Sequence, residues 1–369
     1  MHGARFIGSE IYRQSRYGSR HPLSIPRIST VMDLCRALGW LSDESYIDSP
    51  RADVDALARF HDREYLAALR RAEAEGALPP DLRARFNIGA NGNPIFPEVF
   101  TRPATAVGAG QLAARMLAEG EAAIIYSPAG GTHHGRPSQA SGFCYLNEPV
   151  LTILALLDRG VGRVLYVDID AHHADGVQDA LSADPRVLLV SVHEDGRWPY
   201  SGAAEDRGGG GMRNLPVPPD FNDSEMRFLI AEAILPLAHG FAPDVVLLQC
   251  GADALHDDPL SKLALSNNAL WHAVDALKGM GRPLLVTGGG GYNPWSVGRA
   301  WTGVWARLAD RPIPDRLPDS AERILRGLTW QRSQGRNPPE RWMTTLRDPP
   351  RDGAVRPRVE AVARAALAP

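Results

Sequence analysis

Cysteine is scarce in this 369-residue chain: Cys35, Cys144 and Cys250 are all there are. Three is an odd number, and no Cys-x-x-Cys spacing occurs. That excludes a disulfide framework and a cysteine-rich structural zinc site, and it fits a reducing, cytoplasmic setting. Lysine is scarcer still, with only Lys262 and Lys278 against a large arginine complement; a base-composition bias accounts for this. No apolar run approaches the ~18 residues of a membrane span. Met1-His2-Gly3-Ala4-Arg5 leads into no apolar signal segment. The net charge of −3 argues against a nucleic-acid binder that works by bulk electrostatics. Two glycine runs, Gly208–Gly211 and Gly288–Gly291, lack a Walker lysine, and neither gives GxGxxG opening a helix, so nucleotide binding is disfavoured.

What is present is an ordinary globular composition, 44% apolar and 22% charged, with an uneven histidine distribution. Of eleven histidines, His133, His134, His172, His173 and His193 crowd one stretch, two adjacent pairs among them. Short continuous apolar runs at Ala122–Tyr126, Val164–Asp168, Val187–Val192, Val245–Gln249 and Leu284–Thr287 read as strands covered on both faces. Amphipathic stretches at Thr105–Glu119, Pro149–Arg159, Ser224–Ala238, Asn267–Lys278 and Ser296–Leu308 read as helices between them. This alternation predicts an α/β domain with a parallel sheet over residues 1–308. Residues 309–369 turn rich in Pro, Arg and Asp, with apolar anchors Leu325, Leu328, Trp330, Trp342 and Met343. They read as an irregular wrap over the same domain, ending in a helix Arg358–Leu367 that frays.

Ligands of a parallel sheet gather at the carboxyl ends of its strands. Each predicted strand is followed there by unusual polar residues: His133-His134, Asp168 to Asp175, Ser191-x-His193, Asp253 and Tyr292. Asp170-x-His172 places a carboxylate and an imidazole on one side of an extended segment. Alone, such a pair is more often a helix cap and a core hydrogen bond. With Asp253 it forms an Asp₂His set with an open position, the pattern of a catalytic zinc site that also admits Fe²⁺, Mn²⁺ or Co²⁺. Asp168 and Asp175 are placed to accept an N–H from His133 and His134 and so fix their tautomers. Gly130-Gly131 favours close backbone approach, and Gly288–Gly291 is read as tight backbone presenting the Tyr292 hydroxyl.

Six motifs in order carry a resemblance: PAGGTHHGRPSQASGFCYLN, VLYVDIDAHHADGVQ, SVHEDGRWPYSG, NLPVPP, LQCGADALHDDPL and GGGGYNPWSVGRAW. From about His21 to Trp305 the chain resembles the zinc-dependent histone deacetylase superfamily, including acetoin-utilisation-type proteins and acetylpolyamine amidohydrolases of bacteria. The resemblance implies an arginase-like single α/β domain with an eight-stranded parallel sheet flanked by helices. It implies zinc on Asp170, His172 and Asp253, a dyad of His133 and His134 partnered by Asp168 and Asp175, and Tyr292 as transition-state donor. Gly142, Phe143, Trp198 and Gly290 would line a narrow acyl-lysine tunnel, and Asp168, Asp170, His172 and Ser191 a buried potassium site. The implied chemistry is removal of an acetyl or related acyl group from acetyl-lysine, on a protein or free, or from a small acetylated amine. Metal-activated water attacks, and His134 removes its proton and returns it to the amine.

Four departures concern substrate choice. Asn91-Gly92-Asn93-Pro94 lacks the acidic residue common at the tunnel rim; Trp198 replaces a usual Phe; Arg197 and Tyr200 alter the rim; Glu148 and Pro149 read as a helix start. Acetylpolyamines remain an alternative, with Glu194, Asp195, Glu205 and Asp206 as candidate rim acids. A two-manganese ureohydrolase is disfavoured because Leu255 stands where a further Asp is expected. A non-catalytic acyl-amine binder is the remote reading, since dyad and tyrosine are all present.

Overall fold

The computed structural model describes residues 3–14, 17, 18 and 21–368, so Met1 and His2 lie outside the described residues. Eight strands form one sheet: β1 Arg5–Gly8, β2 Tyr46–Asp48, β3 Ile124–Ser127, β4 Val164–Asp168, β5 Val187–Glu194, β6 Met212–Val217, β7 Val245–Gln249 and β8 Leu284–Thr287. Their order is β2-β1-β3-β8-β7-β4-β5-β6, and every pairing is parallel. The eight-stranded parallel sheet flanked by helices is thus as expected.

Alternate residues feed opposite faces. Leu165, Val167, Val246 and Leu248 join one buried cluster, while Val164, Tyr166, Val245 and Leu247 join the other. Two apolar faces explain why the central strands read as unbroken apolar runs. Three strands had no such signature. β1 and β2 are only four and three residues long, β2 is half-exposed at one edge, and β6 carries Pro216 at the other. Short or proline-bearing strands are typical of edges.

Helix starts differ by up to a turn from expectation. One begins at Thr101 rather than Thr105. The next starts at Glu148, capped by the Asn147 side chain, with Pro149 in its first turn as expected. Asn222, in a capping box with Glu225, starts the helix expected at Ser224. That helix widens to a π-turn over Ile230–Ile234, just before Pro236, which has no N–H to give. Beyond residue 308 the chain is less irregular than expected, with helices at Asp319–Arg326 and Arg341–Thr344. Leu317, Leu325, Trp342, Leu346 and Val359 enter the same core cluster, and Leu328, Trp330 and Met343 pack against it. The last helix, Pro357–Leu367, does not fray: Val359, Ala363 and Ala366 are buried, and Arg207 donates to the Ala365 carbonyl.

The chain runs outward from β4 to β5 and β6, then returns through β7 to β8. Adjacent strands β4 and β7 therefore lead their connections in opposite directions. A crevice opens at such a switch point, and ligands bind there.

Candidate active site

Asp170 and His172 follow β4, and Asp253 follows β7, so the switch point brings the three together. One ligand atom from each lies within 4.8 Å of the others. His172 Nδ1 is 3.1 Å from Asp170 Oδ1 and 3.0 Å from Asp253 Oδ2. Both carboxylates are buried. Main-chain N–H groups fix them: Gly290 donates to Asp170 Oδ2 at 2.7 Å, and Ala171 to Asp253 Oδ1 at 3.0 Å. The Gln249 amide also donates to Asp170 Oδ2. Burial, and then the charge of Asp170, push Asp253 up to about 6. Two carboxylates converging in a buried crevice repel unless a cation stands between them. The donor set therefore fits a divalent ion with an open coordination position.

His133 and His134 occupy the loop after β3. His133 Nδ1 lies 2.7 Å from Asp168 Oδ2, and His134 Nδ1 lies 2.6 Å from Asp175 Oδ1. Asp168 also accepts from the Tyr166 hydroxyl at 2.6 Å, while Arg136 binds the other Asp175 oxygen. The carboxylates favour a proton on Nδ1 of both rings, so any further proton is gained or lost at Nε2. The rings are 4.0 Å apart yet titrate in opposite directions. Burial opposes charge on His133, but Asp168 and Asp170 outweigh it and raise it to about 9. Burial, then the charge of His133, lower His134 to about 3. A neutral imidazole beside a charged one could divide the work of a base from that of an electrostatic partner.

The loop itself is tied down. Asn147 donates to the His133 and Gly135 carbonyls, and its own N–H reaches His61 Nε2 at 3.0 Å. Buried Glu148 accepts the Gly131 N–H at 2.8 Å and the Thr152 hydroxyl at 2.6 Å. Glu148 thus does more than start a helix. A Cβ on Gly131 would stand 2.7 Å from the Gly288 carbonyl oxygen, the close approach expected there.

Tyr292 ends the second glycine run. Gly289 and Gly291 have φ of 150° and 138°, and a Cβ on Gly290 would overlap Asp253 Oδ2 at 1.9 Å. Only glycine lets this backbone pass so near the carboxylates. Half-buried Arg27 donates to the Gly289 carbonyl at 2.7 Å.

Gly142 and Phe143 form the centre of a tight turn closed by paired Ser141 and Cys144 backbone bonds of 3.0 and 2.8 Å. Their φ values, 53° and 67°, are those of a type I′ turn. Left-handed Phe143 is held by Asn93, whose Oδ1 accepts its N–H at 3.0 Å. Its ring meets His21 edge-on at 4.5 Å and Tyr292 at 6.0 Å. Trp198 stands edge-on to His134 at 4.6 Å and to His172 at 6.2 Å, and is 38% exposed. Tyr17, Arg27, His133, His134, Asp170 and Tyr292 are among the residues around a cavity of about 40 Å³, as are Gly142, Phe143 and Gly290. That is room for roughly three waters.

Asp168 and Ser191 are buried register partners on β4 and β5. His173 and His193 hold the next loop, through Ser201 at 2.8 Å and the Gly202 carbonyl at 2.9 Å. Of the expected rim acids, Glu194 is paired with Arg197 and Asp195 with Arg358, while Asp206 accepts from Gln178. Cys144 and Cys250 are buried free thiols, as is Cys35. Sequence reasoning placed Asn93 at the rim without giving it a role, and it missed Arg27, His61 and Asp258. None of them adjoins a site motif's chemistry in the chain, although Asp258 lies within LQCGADALHDDPL.

Among the described residues no helix is long and apolar enough to cross a membrane. Residues 21–308 match the model of the histone deacetylase domain. Human histone deacetylase 1 is 33% identical over 308 residues, 82% of this chain and 64% of that protein. The chain thus spans less than two thirds of that relative. The crystal structure of an HDAC homologue from Aquifex aeolicus superposes with TM-score 0.93 at 34% identity, covering 99% of this chain and 100% of that one. An HDAC homologue complexed with SAHA gives TM-score 0.94, the same identity and the same coverage. On the domain match over most of its length, the relative and the shared fold, this chain belongs to the histone deacetylase family.

Proposed function

We propose that the chain is a metal-dependent amidohydrolase that removes an acetyl or related short acyl group from the amine of acetyl-lysine or a small acetylated amine. One observation carries the reading: a buried Asp₂His donor set shares a cavity with two imidazoles, each with its own carboxylate. The match to a SAHA-complexed homologue supports it. Asp170, His172 and Asp253 would hold zinc, and the same donors suit Fe²⁺, Mn²⁺ or Co²⁺. A divalent ion bound there polarises the acyl carbonyl and lowers the pKa of water. Asp168, Asp170, His172 and Ser191 are proposed as a potassium site, mostly through backbone carbonyls, which leaves the Asp170 and His172 side chains to the divalent ion.

The chain's own groups do the rest. His134, kept neutral, takes a proton from the attacking water and gives it to the leaving amine nitrogen. His133 steadies the charge that develops beside it, and the Tyr292 hydroxyl donates to the carbonyl oxygen as it becomes anionic. Gly142, Phe143 and Trp198 would flank the aliphatic arm of the substrate. Water and amide yield a carboxylate and a protonated amine. Acetylpolyamine is the alternative substrate: arginines pair with Glu194 and Asp195, which leaves Glu205 and Asp206 as its candidate rim acids. The buried, unpaired thiols suit a reducing compartment such as the cytoplasm.

The test is hydrolysis of an acetyl-lysine peptide and of acetylated amines by the purified chain, with and without chelator. Chelator should abolish turnover, and added zinc should restore it. Tyr292→Phe should cut kcat by roughly 10²–10³-fold with metal retained, the loss of one oxyanion donor. Absence of chelator-sensitive hydrolysis on every acetylated amine would overturn the reading.

A further inference from the structure

Tyr292 follows four glycines, the backbone with most freedom to lose on folding. A hydroxyl that must meet a developing charge cannot swing on such a tether. The loop is held at several points: Arg27 on the Gly289 carbonyl, Asp170 on the Gly290 N–H, and the Ala252 N–H on the Gly290 carbonyl at 2.8 Å. A further hold acts on the tyrosine itself. Its N–H donates to Asp258 Oδ2 at 2.7 Å.

Asp258 is 5% exposed, and its other oxygen accepts the Leu260 N–H at 2.9 Å. Its loop is anchored beside the metal set: Ser261 Oγ donates to the Asp253 carbonyl at 2.5 Å, and Leu255 bridges to Leu265. The Asp257 carbonyl accepts the Asn293 amide at 3.2 Å, one residue past the tyrosine. We infer that Asp258 is a positioning residue for Tyr292, coupling the tyrosine to the segment that carries Asp253. A carboxylate can serve both N–H groups at once. An asparagine offers one acceptor oxygen, so its NH₂ would face the other N–H.

The inference rests on the oxyanion role proposed for Tyr292, and the experiment separates the two. In the full-length zinc-loaded protein, Asp258→Asn should lower kcat roughly 10–100-fold, the scale of a 1 Å misplacement, with KM within about twofold. Zinc content should stay at the wild-type level, and amide exchange over residues 288–293 should accelerate. Combining it with Tyr292→Phe should cost no more than about twofold beyond Tyr292→Phe alone, because both act through one hydroxyl. Losses that multiply, or wild-type kcat in Asp258→Asn, would overturn the positioning role. Wild-type kcat in Tyr292→Phe would instead overturn the role of the tyrosine. Should Asp258→Asn not fold, Asp258→Ser, whose single shorter oxygen cannot serve both N–H groups, takes its place under the same criteria.

Discussion

A methyl group added at Gly290 would stand 1.9 Å from Asp253 Oδ2 and 2.6 Å from its carboxyl carbon. The backbone there is not left-handed, so Gly290→Ala acts by volume alone. To reach an ordinary contact near 3.4 Å, the oxygen must withdraw by about 1.5 Å. Asp253 has little freedom to do so, since Ala171 holds its other oxygen. Metal–ligand distances tolerate only about 0.2 Å. The substitution should therefore remove one donor from the Asp₂His set. Disturbing mere supporting contacts of a metal site costs 10–100-fold, so zinc affinity should fall by at least about 100-fold, or ~2.7 kcal/mol. The measurement is competition against a chromophoric zinc chelator, with elemental analysis of the purified protein. Overpacking costs about 1–3 kcal/mol, so thermal unfolding should show a folded, slightly weakened protein. A folded Gly290→Ala protein that binds zinc within threefold of wild type would refute the placement of the metal site.

Two further tests reach other parts of the structure. Burial lowers His61 to about 4, and the neutral ring accepts the Asn147 N–H under the dyad loop. Its folded value lies below the ordinary ~6.5, so its contribution is complete above pH 6.5 and drains away as pH falls toward 4. Between pH 6.5 and 5 that is about 2 kcal/mol, and denaturant unfolding of His61→Gln should show a pH slope shallower by this amount; equal slopes would refute it. Trp198→Phe removes the outer ring atoms that a Cβ on Gly142 would meet at 2.5 and 2.8 Å. Opening that wall should raise kcat/KM for an acetylated benzylamine relative to acetyl-lysine at least about fivefold, near 1 kcal/mol of steric relief. An unchanged ratio would show that Trp198 does not shape the tunnel.

The sequence by itself determined the sheet's centre and the candidate chemistry. β3, β4, β5, β7 and β8 are buried on both faces, and only continuous apolar runs satisfy that. Asp170, His172, His133, His134, Asp253 and Tyr292 could be nominated because each follows such a run within a few residues. Chain proximity carried the information that the fold later used. β1 and β2 escaped notice because four and three residues are too few to leave an apolar run, and β6 because Arg213, Asn214 and Pro216 interrupt one. Tertiary structure alone decided what supports the nominated groups. Arg27 reaches Gly289 across 262 residues, His61 reaches Asn147 across 86, and Asp258 reaches Tyr292 across 34. Hydrogen-bond partners of this kind are chosen by where the sheet order brings loops together, and no local spacing records that choice. The same holds for the opposite titration of His133 and His134. Both rings are buried beside a carboxylate, but His133 meets the charges of Asp168 and Asp170, whereas for His134 burial and the positive charge of His133 outweigh Asp175.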